Sequence, residues 1–249
     1  MRLAGFCVVA LLAAPLLSGE GTFLDLLRTG TAQQVLDAVH AGADVHQSDR
    51  AGETPLMVAA ATNPDPAVIL VLLAAGANVN ERDWIGLTPL MYAASSNPHP
   101  AVVQALINAG ASVGDEDSMG TSVLVHAAQA NPAPAVIAAL IGAGASVDRR
   151  DPGGMTALMH AAQSNPHPGV LKALIDAGAS VNARNVTGMT ALLFAARFTE
   201  NPNAILLLLR AGADAAAVGP GGETARSLAR RNAALRGTEA LDALGSCPQ

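Results

Sequence analysis

The sequence predicts an all-α solenoid, in which short helix pairs stack one behind another and turns protrude between them. Three observations carry this expectation. Alanine occurs 53 times in 249 residues while aromatics supply only 2%, so a core must come from small side chains on closely packed helices. Gly42, Gly76, Gly110, Gly144, Gly178 and Gly212 recur every 34 residues, each followed by Ala. Three more columns keep the same step: Gly52 to Gly222, Leu56 to Leu192, and Pro66 to Pro202. A fixed period of this size is the signature of a repeat architecture, whose units bury their apolar faces only against neighbours.

The chain opens with Met1-Arg2, an apolar run from Leu3 to Leu17, and the small residues Ser18-Gly19. That run is shorter than the roughly 20 residues a spanning helix needs. A charged start, a short apolar stretch and small residues read as a secretory signal peptide over 1–19. An uncleaved anchor or a buried first helix is the alternative. Cleavage leaves thirteen basic against twenty acidic residues, a formal charge of −7, and places the mature chain in the periplasm or outside the cell. It also removes Cys7, so no internal disulfide remains, and stability must come from packing. Cys247 then offers a route to a linked dimer of an otherwise monomeric chain; an exposed thiol on a tail is the bland reading.

Residues 20–48 read as a capping unit, with a stub helix from Phe23 to Leu27 and a second helix from Ala32 to His40. Five full units follow at 49–82, 83–116, 117–150, 151–184 and 185–218, and 219–249 form the far cap and tail. Within 83–116, Asp83-Trp84-Ile85-Gly86 is a turn. Thr88 is placed to cap a helix that Pro89 can start without losing a needed N–H. Asn97-Pro98-His99-Pro100 breaks that helix, Ala101 to Ala109 forms the second, and Gly110 ends it in a left-handed turn. In the far cap, Arg226 stands where inner units carry Leu, and Arg230, Arg231 and Arg236 extend the polar face that a terminal repeat needs.

The string Gly-x-Thr-Pro-Leu-Met-x-Ala-Ala, followed by a second helix and Ala-Gly-Ala-x-Val-Asn, resembles the ankyrin repeat. It stands nearly intact at Gly52–Ala60 with Gly76–Asn80, and again at Gly86–Ala94. It is looser at Gly120–Ala128, where Ser122 and Val123 replace Thr and Pro. The likeness covers about 22–235 and has the Ala and Arg bias of a bacterial chain. Two departures stand out. The family's usual His after Thr-Pro-Leu is here Met57, Met91, Val125, Met159 or Leu193. The interhelix link carries Asn-Pro-x-Pro and is one residue longer, becoming Thr199-Glu200-Asn201-Pro202 in the last unit; a stiffer link is expected.

No motif makes a convincing enzyme. Gly110-Ala111-Ser112-Val113-Gly114 matches a hydrolase string, but follows a helix end instead of joining a strand to a helix. Asp115-Glu116-Asp117 lacks the ligand spacing of a calcium loop. Asn185-Val186-Thr187 is a glycosylation string that matters only in a eukaryotic secretory route. Lys172, the one lysine, lies in a helix, and no Gly-rich phosphate loop precedes it. The acidic charge and scarce aromatics exclude a nucleic-acid surface. His126 and His160 occupy equivalent places in adjacent units, close enough for a metal to bridge; a metal-dependent protein is the runner-up, and groove-lining histidines are the bland alternative. No cofactor is indicated.

The resemblance implies a concave groove lined by turn tips and inner helices, where a partner protein binds. The expected anchor is Trp84, Ile85 and Leu87, extended by Met119, Met155, Met189 and Phe198. Exposed apolar residues in a row mark contact sites, with Trp a favoured anchor and Met an adaptable one. The alternative is that the tips pack only against one another. A host-directed secreted effector would use the same surface at another address.

Overall fold

In a computed structural model, residues 23–246 are described. The expected signal peptide (1–19) and Cys247 lie outside them. The described chain is helical, with no strand. Inner helices are α1 (Phe23–Thr29), α3 (Pro55–Thr62), α5 (Pro89–Ser96), α7 (Val123–Ala130), α9 (Ala157–Ser164), α11 (Ala191–Phe198) and α13 (Ala225–Ala229). They alternate with outer helices α2 (Ala32–His40), α4 (Pro66–Ala74), α6 (Pro100–Asn108), α8 (Pro134–Gly142), α10 (Pro168–Asp176), α12 (Asn203–Arg210) and α14 (Glu239–Ser246). The protruding turns carry isolated bridges at Glu116–Ser122 and Val218–Thr224.

Each inner helix packs on the next along the stack, and each outer helix does the same behind it. The start of each inner helix follows from sequence: Thr54, Thr88, Ser122, Thr156 and Thr190 accept the N–H of the third helical residue. The ends of the outer helices follow from glycine. Gly110 sits at φ 92°, and the Ala111 N–H reaches back to the Leu106 carbonyl at 3.0 Å, closing a Schellman turn.

The core runs the length of the stack. Leu56, Leu90, Leu124, Leu158 and Leu192 are buried beside the Ala59-Ala60, Ala93-Ala94, Ala127-Ala128, Ala161-Ala162 and Ala195-Ala196 pairs. With nothing beyond Cβ at the paired positions, successive inner helices approach closely, and each buried leucine contributes about 2 kcal/mol. No helix among the described residues is long and apolar enough to cross a membrane.

The Asn-Pro link also joins neighbouring units. Pro98 has no N–H for the Ala94 carbonyl, the bond a helix would make four residues on. Asn131 of the next unit supplies it: its Nδ2 donates to Ala94 and Asn97 carbonyls at 2.8 Å each, and its Oδ1 accepts the Ala133 N–H at 2.9 Å. Asn97 and Asn165 do the same, and Asn63 bonds the Leu27 and Gly30 carbonyls of the capping unit, so a buried asparagine ladder ties each unit to the one before. Thr199 interrupts it, bonding within its own link through Asn201, and Asn232 resumes it on the Thr199 carbonyl.

Candidate protein-binding surface

The turn tips are built around an aspartate. Asp83 Oδ1 accepts the N–H groups of Ile85 (3.0 Å) and Leu87 (2.8 Å), and Gly86 closes the turn on the Asp83 carbonyl. Asp117 and Asp151 are placed alike, and Asn185 takes over in the last full unit. Neighbouring tips are joined through backbone: Trp84 N–H to the Ala51 carbonyl, Ser118 N–H to Ile85, and Val186 N–H to Gly153. Pro152, lacking an N–H, cannot donate to the tip before it. Arg82 reinforces the row, donating to the Gly86 and Glu116 carbonyls and pairing with Asp115 at 2.8 Å.

This geometry sorts the expected anchor residues. The second and third turn positions point outward: Trp84 is 77% exposed, Ile85 56% and Met119 71%. The fifth position turns down onto the core. Leu87 and Met155 are half-buried there, and Met189 is buried at 6% exposure, its sulfur against the Gly219 backbone. The methionines therefore do not form one exposed column, because Met119 is third in its turn while Met155 and Met189 are fifth. Met189 belongs to the core and is unavailable to a partner. Trp84, Ile85 and Met119 are brought together on adjoining tips, whereas Phe198 stands apart at 44% exposure, stacked on Phe194 with the Arg197 guanidinium 5.1 Å from its ring. Val186 is exposed in the same column as Trp84 but is absent from the sequence-based set; its place second in the turn was the available signal.

The Cδ1–Nε1 edge of Trp84 lies over Gly52 of the preceding tip. A Cβ on Gly52 would meet the indole Cδ1 at 2.8 Å, and Gly52 also sits at φ +84°, so glycine is required there twice over. The rest of the indole faces solvent.

Below the tips, the inner helices present Tyr92, His126, His160 and Phe194 at equivalent positions. Tyr92 donates between Asp83 (2.9 Å) and Glu53 (3.0 Å); burial, reinforced by those carboxylates, raises its pKa well above that of free tyrosine. His126 Nε2 pairs with Asp117 at 3.0 Å, and His160 Nε2 with Asp151 at 2.8 Å. His160 Nδ1 is taken by the Gln129 amide at 2.9 Å. Burial lowers the His126 pKa against the opposing pull of Asp117. Each histidine is committed to its own turn aspartate, and His160 has both ring nitrogens bonded. The pair does not converge on one metal, and no cluster of three or more metal-ligating side chains occurs among the described residues.

Comparison with known proteins agrees with this architecture. The family model described as Ankyrin repeats (3 copies) matches residues 27–117 and 124–218. The human ASB11 ankyrin repeat domain is similar at 25% identity and a TM-score of 0.75, over 92% of this chain and 100% of that one. The ankyrin repeat domain of Bcl-3, of the IkappaB protein family, shares the fold at 24% identity and a TM-score of 0.65, over 91% of this chain and 99% of that one. No curated protein sequence matches the chain. With family matches over most of its length, this chain belongs to the ankyrin-repeat family.

Proposed function

We propose that this chain is an exported, non-enzymatic scaffold that binds a partner protein through its turn tips and the groove beneath them. Ankyrin repeats bind other proteins. The observation that carries the reading is the exposed apolar surface formed by Trp84, Ile85 and Met119 on tips already fixed by backbone hydrogen bonds. Lone exposed apolar residues are ordinary, but adjoining ones built around the chain's sole tryptophan mark a contact surface. Because the tips are ordered before binding, little entropy is lost when a partner covers them. Leu87 and Met155 line the edge of this surface, and Phe198 forms a separate contact at the far end of the groove.

Export rests on residues 1–19, and leads to the periplasm or the exterior. Fractionation with amino-terminal sequencing of the exported chain tests it, with a start near residue 20 expected and a retained Met1 opposing it. Binding is tested by affinity capture with Trp84→Ala/Ile85→Ala beside the unaltered chain. The reading expects the captured partner to be lost with the double variant; equal recovery with both refutes the surface.

A further inference from the structure

The inner-helix row contains one unfilled position. At His160, Nε2 bonds Asp151 and Nδ1 bonds the Gln129 amide of the preceding unit. One unit earlier, His126 Nε2 bonds Asp117 in the same way. The residue equivalent to Gln129 is there Ser95, two bonds too short to reach the ring, and His126 Nδ1 has no partner. Every fully buried side-chain nitrogen or oxygen among the described residues is hydrogen-bonded, so this bare Nδ1 is open to solvent. The same holds for the Ser95 hydroxyl, on a half-buried residue.

The protonation state follows from the neighbours. The carboxylate of buried Asp117 requires a proton on Nε2, which leaves Nδ1 with its lone pair free. The pocket thus offers an acceptor from His126 and a hydroxyl from Ser95 that can donate or accept. A carboxamide matches both, with its N–H₂ toward Nδ1 and its oxygen or second N–H toward Ser95. A carboxylate has no proton for Nδ1 and would face the Asp117 charge. Burial also disfavours the imidazolium that could accommodate an acid.

We propose that Ser95 and His126 form a subsite for a carboxamide side chain, Asn or Gln, of a protein partner lying in the groove. The partner's amide takes the place that Gln129 fills beside His160. This deepens the docking reading above and rests on it: the tips supply apolar affinity, and the subsite selects an amide through a buried bond that a wrong side chain leaves unmade.

Selection of random displayed peptides on the full chain tests this. Expected are binders sharing an Asn or Gln whose change to Asp or Glu weakens binding about ten-fold. Ser95→Gln, which fills the subsite from within, should produce a similar loss and make the peptide's own change silent. Gln folds at the equivalent position one unit on, so the variant keeps the fold; the His126 Nδ1 nitrogen shift should move as the new bond forms. Gln129→Ser should open a second such subsite at His160 and leave the first intact. Binders without a carboxamide, binders indifferent to Ser95→Gln, or no binders at all overturn the subsite. Binders weakened by Trp84→Ala but indifferent to Ser95→Gln uphold the docking surface and remove the subsite alone. Indifference to both removes both.

Discussion

Replacing Asn131 by Ala removes three hydrogen bonds at once from a position with no solvent exposure. The Ala94 carbonyl loses its partner in a helix where Pro98 already denies it the usual one, and the Asn97 carbonyl and Ala133 N–H are also released. At about 1 kcal/mol net per bond, and more where the stranded group cannot reach water, the loss comes to about 3–5 kcal/mol. That is a large part of the stability of an ordinary domain. Asn201 provides the contrast: a half-buried asparagine with one interunit bond of 3.2 Å and one local bond from the Asn203 N–H at 3.1 Å, whose Ala variant should cost only about 1 kcal/mol because the released groups can reach water. Urea unfolding followed by far-ultraviolet circular dichroism measures both, with a shift in midpoint at unchanged slope reporting stability alone. If Asn131→Ala moved the midpoint no further than Asn201→Ala, the ladder would not be what couples the units.

Other substitutions separate core from surface. Met189→Ala should cost about 2–4 kcal/mol in the same assay because its side chain is buried, while Met119→Ala, on an exposed tip, should stay within about 0.5 kcal/mol. Thr88→Ala removes the cap on Met91 N–H and should cost about 1 kcal/mol of stability in urea. His126 is half-buried with a lowered pKa, so the folded chain favours its neutral form. Its contribution to stability is therefore complete above the unfolded value of about 6.5, and is lost as pH falls through the lower folded value. Urea midpoints measured from about pH 8 to pH 5 should decline less steeply for His126→Gln than for the unaltered chain, and parallel profiles would contradict this linkage.

The solenoid was legible because its determinants are local and repeated. Gly42 to Gly212 mark helix ends, Thr88 and its equivalents mark helix starts, and the leucine column marks the core, each at a fixed 34-residue step. The role of Asn63, Asn97, Asn131 and Asn165 was visible only as another column. That Asn97, Asn131 and Asn165 each fill a carbonyl orphaned by a proline one unit earlier, while Asn63 bonds the Leu27 carbonyl of the capping unit, depends on how units stack, which spacing alone does not reveal. The tip surface was partly legible for a similar reason. Whether a turn residue faces out or in depends on its place relative to the aspartate, and Met155 and Met189 are apolar like Met119 but two places further along. The histidines needed their partners: Asp117 and Asp151 lie nine residues before them, but only the fold brings each pair to hydrogen-bonding distance.

Trp84 is the chain's single tryptophan and is 77% exposed, so its fluorescence reports directly on the proposed surface. Its emission, recorded for the free chain and again with the captured partner in excess, tests the central claim. Binding through the Trp84–Ile85–Met119 surface predicts a shift to shorter wavelength and protection from an added quencher as the exposed indole is covered. A partner bound at saturation with unchanged emission and unchanged quenching would place the contact elsewhere and contradict the account.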